Sequence, residues 1–266
     1  MDQMTSSMLE LTNMDLLAKM DSPIHRRHPA AKLLVTILYI FVVVSFPKDR
    51  LSALIPMVFY PVMLFQLSGI SMRTCFYKLR FILPLLCAVG IWNPLLDREA
   101  VLTIGALTIT GGMLSFLTLL LKGVFSLMAS FLLISTTGIE QICYALSILK
   151  VPDLLVTQIL ITYRYISLLL KETGTMMNAY SMRAPGQNGL HFSAWGSFVG
   201  QLLIRSMDRA QNLYQSMQMR GFQGSFYYAR ETAFGLADML YIIIWAVVFL
   251  ILRMFDLSEL IGGLFL

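Results

Sequence analysis

The stretch DLLVTQILITYRYISLLLKETGTMMNAYSMR, Asp153 to Arg183, decides how this chain is folded. Its first half is apolar enough to imitate a membrane span, yet Gln158, Arg164, Lys171 and Glu172 interrupt it. A charge at the middle of a bilayer costs at least ~2.5 kcal/mol. The apolar pattern continues with few breaks to Ala184-Pro185, and the residue before a proline is pushed out of the α region. The spacing therefore predicts a single helix ~45 Å long at 1.5 Å per residue, lying along the cytoplasmic interface instead of crossing it.

The rest of the chain sets the context for that reading. Of 266 residues, 57% are hydrophobic and only 13% charged, about half the charged share of a soluble domain. The composition predicts an all-α integral membrane protein, because several apolar runs approach the ~20 residues a helix needs to cross hydrocarbon. Residues 33–47 and 51–68 read as a helical hairpin joined by Lys48-Asp49-Arg50, and residues 81–96 as a third run ending before Asp97-Arg98-Glu99. From Val101 to Thr136 the sequence is almost continuously apolar, with Lys122 as its one charge. A turn at a lone lysine, without Pro, Asn or a Gly pair, would be too tight, so 111–136 reads as one span and 101–110 as a short external or re-entrant piece. The last span is 234–252, which brings the total to about five.

A second long helix is expected from Ser193 to Arg220, ending at a left-handed Gly221. Val199, Leu203, Met207, Ala210, Leu213 or Tyr214, and Met217 recur every three or four residues and predict an apolar face packed on the preceding helix. Between Arg164 and Arg230 stand seven Lys or Arg against two acids, Glu172 and Asp208. The excess places this segment, and the basic segments 19–32 and 71–80, in the cytoplasm. Four domains follow: 1–32, a cytoplasmic N-terminal segment; 33–136, a four-helix membrane region; 137–232, a cytoplasmic module of long amphipathic helices; 233–266, the last membrane helix and a tail. Residues 1–30 carry no secretory signal, so the N-terminus is expected to be retained inside.

Each long helix ends in the same way, at Met182-Arg183-Ala184 and at Met219-Arg220-Gly221. One arginine in a last turn is ordinary, since cations complement the negative end of the helix dipole. Two matching endings predict two tips that present a permanently charged, bidentate fork to acidic grooves on a partner.

The chain resembles the T component of energy-coupling factor (ECF) transporters, the cobalt-type CbiQ proteins above all. The matching residues are SPIHRRHPAAKL (Ser22 to Leu33), YRYISLLLKE (Tyr163 to Glu172), MRA (Met182 to Ala184) and LLIRSMDRAQNLYQSMQMRGF (Leu202 to Phe222), within a likeness covering about residues 20–250. The resemblance implies a non-catalytic scaffold subunit in the cell membrane of a prokaryote, multi-pass, with its N-terminus in the cytoplasm. It implies two ABC-type ATPase subunits and a membrane substrate-capture (S) subunit as partners, with or without a small accessory membrane subunit. Met182, Arg183, Ala184, Met219, Arg220 and Gly221 become the docking residues of two coupling helices, and cobalt the cargo; nickel or a vitamin through a shared module is the alternative. Pro185 after Ala184 departs from the family pattern, and Lys122 stands where relatives often carry arginine.

No catalytic residue, metal site or bound cofactor is expected in the chain itself. It has no G-x-x-x-x-G-K-[ST] phosphate loop, so ATP is expected to be used by partner subunits only. Cys75, Cys87 and Cys143 form no C-x-x-C pair. His25 and His28 stand as H-x-x-H beside Arg26 and Arg27, whose charges repel a cation, and His191 is isolated. Asp238 is read as an interfacial or helix-pairing carboxylate, and Trp92, Trp195 and Trp245 as membrane-interface aromatics. Glu140 and Asp153 open helices, where acids suit the dipole. Met176, Met177, Met207 and Met217 read equally well as core packing or as an adaptable contact surface. The net charge of +5 is spread over connecting segments, which argues against a nucleic-acid partner. A self-contained secondary transporter would instead need ionisable groups converging at mid-membrane, and the spans offer little beyond Lys122 and Asp238.

Overall fold

The computed structural model describes residues 16–47, 51–96, 100–104, 107–187, 189–224 and 234–254. Residues 1–15, the turn Lys48-Asp49-Arg50, Asp97-Arg98-Glu99, Arg230 and the tail beyond Met254 lie outside the described residues. The chain is an all-α membrane protein with one short β-hairpin, and it divides into two compact units, residues 17–138 with 234–254, and residues 139–224.

The first unit is built around helix α1 (Pro29–Ser45), four residues longer at its start than the apolar run suggests. The cause is local. Pro29 occupies the first turn, where its missing N–H is harmless, and His28 caps the end by accepting from the Ala30 N–H through Nδ1 at 3.1 Å. The second apolar run, Leu51–Ser68, is broken into α2 (Leu51–Leu54), a 3-10 turn (Ile55–Val58) and α3 (Phe59–Ser68), with Pro56 in the first turn of the 3-10 piece. Helix α4 (Met72–Gly90) starts well before residue 81. Arg73, Lys78 and Arg80, expected in a connector, occupy its first half, and Pro84 lies inside it. The short α5 (Trp92–Leu96) completes the third run.

The stretch expected as a short external or re-entrant piece holds two strands. Strand β1 (Ala100–Ile104) pairs antiparallel with β2 (Leu107–Thr110), with an irregularity between Ala100 and Leu102. Helix α6 (Gly111–Thr137) then runs unbroken through Lys122, as one span. Helix α10 (Leu236–Met254) returns to the same unit.

Helix α1 packs on both α6 and α10, and its inward residues Val35, Tyr39 and Val43 are fully buried. Around them Tyr60, Trp245 and Phe249 interlock, with Tyr39 and Tyr60 ring centroids 4.5 Å apart and Tyr60 edge-on to Trp245 at 4.7 Å. The Tyr39 hydroxyl donates to the Met57 carbonyl at 2.9 Å, so burial leaves that donor satisfied. Helices α4 and α6 approach through glycines: a Cβ on Gly90 would sit 2.6 Å from the Phe116 ring, and one on Gly123 would sit 2.7 Å from Leu86. Small residues at such contacts are how membrane helices gain van der Waals packing where no hydrophobic force separates them from lipid.

The second unit holds α7 (Ile139–Ile148), α8 (Asp153–Arg183) and α9 (Trp195–Met219), the last entered through a 3-10 turn at Phe192–Ala194. Five stretches are long and apolar enough to cross a membrane: Leu51–Ser68, Met72–Pro94, Gly111–Thr137, Asp153–Arg183 and Leu236–Met254. Length and composition thus count α8 among them and pass over α1, which has 17 residues. Helix α1 packs between α6 and α10. Helix α8 belongs to the other unit.

Candidate functional site: the long helices and their tips

In the second unit α7 folds back onto the start of α8. Cys143, Val156 and Leu160 are buried, with Ile139, Leu146 and Val151 packed around them. Burial pushes the Cys143 thiol above its ordinary range, as suits an unreactive filler. The turn is closed by a Schellman arrangement, the Val151 N–H donating to the Leu146 carbonyl and the Lys150 N–H to that of Ser147. Lys150 adopts φ +60°, the left-handed position glycine normally fills.

Helices α8 and α9 meet at a charge cluster that the sequence pattern did not disclose. Glu172 takes Arg205 in a short ion pair through one carboxylate oxygen and Arg209 at 3.7 Å through the other. Nearer its start, α8 is tied to α7 by Arg164 and Glu140 at 3.4 Å. The Thr157 hydroxyl donates to the Gly224 carbonyl at 3.4 Å, which lays the far end of α9 against the first turn of α8. The two helices are therefore antiparallel.

The expected apolar face of α9 does not pack on α8. Leu213 and Met217 are partly buried, but Val199, Leu203, Met207 and Tyr214 are exposed, and no residue of α9 is buried. The face turned to α8 runs Leu202, Ser206, Arg209, Leu213 and Ser216. The Glu172 cluster selects that face, since two guanidiniums on one carboxylate fix the rotation of the helix and leave the apolar stripe uncovered.

The two Met-Arg endings stand at opposite ends of this pair. Arg183 is the last residue of α8; Ala184 leaves the helix at φ −125° before Pro185, and Gly186 turns the chain at φ +90°. Arg220 is the C-cap of α9, where the Phe222 N–H donates to the Met217 carbonyl and the Gly221 N–H to that of Gln218, with Gly221 at φ +76°. Met182 and Met219 are 81% and 84% exposed. Arg183 lies 26 residues beyond Thr157 on α8, ~39 Å at 1.5 Å per residue, whereas Gly224, just past Arg220, touches Thr157. Ala184 is partly buried, and Arg183, Arg220 and Gly221 are exposed.

The polar groups singled out in the first unit are occupied with helix ends. His25 bonds the Leu17 carbonyl through Nε2 at 3.0 Å and Ser22 Oγ through Nδ1 at 2.7 Å, and burial holds its pKa below the ordinary value. Arg26 grips Asp21 in a two-pronged pair, and that bond holds the Asp21 carboxyl below its ordinary range. Asp238 accepts from the N–H groups of His28 and Gly235, at 3.1 and 3.2 Å, tying the start of α10 to the start of α1. Lys32, only 3% exposed, donates to the Thr136 carbonyl at the end of α6 at 2.9 Å. Lys122 reaches the carbonyls of Val44 and Phe46 at the end of α1. Among the described residues no three His, Cys, Asp or Glu side chains converge as a metal site.

A family model described as the cobalt transport protein CbiQ matches residues 20–234. The nickel permease LarQ of Lactiplantibacillus plantarum is 30% identical over 97 residues, which cover 36% of this chain and 35% of that protein. An uncharacterised protein of Methanocaldococcus jannaschii is 26% identical over 124 residues, 46% of this chain and 42% of its own length. The chain spans less than half the length of these curated relatives.

Proposed function

The chain belongs to the CbiQ cobalt transport protein family, and from that premise we propose that it is the transmembrane T subunit of an ECF-type importer. In this reading it couples two ATPase subunits to a substrate-capture subunit, with cobalt as cargo and nickel as the alternative that the likeness to a nickel permease favours. The unit of α7 to α9 lies on the cytoplasmic side, in keeping with its excess of Lys and Arg. Each tip, Met182-Arg183-Ala184 and Met219-Arg220-Gly221, docks one ATPase.

The observation that carries the reading is the placement of Arg183 and Arg220 at opposite ends of an antiparallel helix pair, each beside a methionine exposed over most of its surface. Two tips on one edge would serve one partner. Tips tens of ångströms apart suit two equivalent partners, whose relative motion would tilt the rods and the membrane-embedded partner resting on their uncovered apolar stripe. A stand-alone secondary transporter fits less well, because Lys122 is held by carbonyls at the end of α1, while Lys32 and Asp238 stand near its start.

The test is the double variant Arg183→Glu with Arg220→Glu, expressed with candidate ATPases and purified in mild detergent. We expect the chain to remain inserted while retained ATPase falls to about a tenth or less, as for loss of arginine hot spots. Undiminished ATPase retention together with continued metal uptake would remove the docking role.

A further inference from the structure

Two cations meet at the C-terminal end of α1. Lys122 Nζ donates to the Val44 carbonyl at 3.1 Å and to the Phe46 carbonyl, and Arg253 Nη2 donates to the Ser45 carbonyl at 3.1 Å. The guanidinium also lies 4.4 Å from the centre of the Phe46 ring. A helix end carries roughly half a negative charge, against two full positive ones here. Among the described residues neither cation has a carboxylate partner. Capping also leaves donors over: an ammonium has three N–H groups and a guanidinium five, and the capping bonds use two on Lys122 and one nitrogen of Arg253. Among the described residues the site carries more positive charge and more N–H donors than the helix end takes up, which suits an anion.

We propose that this pair holds the phosphate of an anionic phospholipid headgroup. Two features select lipid over a free anion. Helix α1 has 17 residues, ~26 Å, less than the ~30 Å hydrocarbon thickness, and a short span draws the bilayer surface inward, which brings headgroups to its end. Beside the cations, Val44, Leu250, Ile251 and Met254 are exposed and apolar, a surface for the acyl chains of the lipid whose phosphate is held.

The test titrates the full-length protein in mild detergent with phosphatidylglycerol, phosphatidylcholine or inorganic phosphate, and counts retained lipid by native mass spectrometry. In the wild type, phosphatidylglycerol is retained in preference to phosphatidylcholine and is not displaced by millimolar inorganic phosphate. Lys122→Gln with Arg253→Gln lowers phosphatidylglycerol retention by about tenfold or more, while Lys122→Arg with Arg253→Lys keeps it. Equal retention in the neutral variant overturns the site, and displacement by inorganic phosphate overturns the lipid as its occupant. Should the neutral pair fail to fold, the wild type decides: an anionic-lipid preference lost at high salt supports the proposal, and equal retention of both lipids ends it.

Discussion

The two units use the same kinds of residue to opposite ends. Around α1 the large aromatics Tyr39, Tyr60 and Phe249 are almost fully buried, and the cations Lys32, Lys122 and Arg253 sit on helix-end carbonyls. Along α8 and α9 only Val156 and Leu160 are buried, the apolar stripe stands uncovered, Arg205 and Arg209 share Glu172, Arg164 pairs with Glu140, and Arg183 and Arg220 occupy the tips. A unit surrounded by lipid must satisfy its backbone polar groups internally, because hydrocarbon offers no hydrogen bonds. One that works by docking must keep apolar surface and charge in reserve. The contrast is what the proposed docking role requires of the second unit.

Truncation should break the symmetry most sharply. Tyr60→Ala opens a cavity at the aromatic cluster and should cost ~3–5 kcal/mol, read as a lower thermal midpoint in detergent-based size exclusion. Leu203→Ala, on the uncovered stripe, should change the stability of the lone chain by no more than ~0.5 kcal/mol. Equal losses at both positions would mean that the stripe is covered within the chain.

Glycine-to-alanine exchange should reverse its sign between the units. Gly90→Ala drives a methyl against the Phe116 ring and should destabilise by ~1–3 kcal/mol. Gly200 of α9 has nothing within 4 Å of its would-be Cβ, so Gly200→Ala should stabilise the helix by ~0.5–1 kcal/mol. Hydrogen exchange over each helix would report both.

A smaller effect is expected at Glu172. Its exchange for Gln frees Arg205 and Arg209, but these groups are partly solvated, so the loss should stay near ~0.5–1 kcal/mol and shrink in high salt. Proteolysis between α8 and α9 should quicken while the membrane unit is unaffected. The smallest effect belongs to His25. Burial lowers its folded pKa below 6.5, so the unfolded chain takes up a proton that the folded imidazole refuses. The His25 contribution is present above pH ~6.5 and declines as pH falls from there to the folded pKa; His25→Asn should flatten that acid-side slope in a thermal melt.

Most elements were legible where a local rule was strong. Helix α6 runs through Lys122 as one span because nothing in the sequence could turn it, and α8 stops at Ala184-Pro185 because proline forbids continuation. Boundaries failed where side-chain behaviour masked the period. Arg73, Lys78 and Arg80 suggested a connector, yet long basic side chains let a helix leave the apolar layer without breaking. The hairpin of β1 and β2 was hidden in an apolar run whose periodicity favours neither helix nor strand.

The sequence by itself determined that this is a helical membrane protein, where its long helices stop, and that two of them end in Met-Arg. Those features depend on the transfer of apolar side chains from water and on backbone hydrogen bonds a few residues apart. Only the tertiary structure decided that α9 turns Arg205 and Arg209, not its apolar stripe, toward Glu172, that the arginine tips of α8 and α9 stand at opposite ends of the pair, and that Lys122 joins Arg253 at the end of α1. Each of these joins residues tens to hundreds of positions apart, and such contacts follow from how helices pack, which no local window of sequence contains.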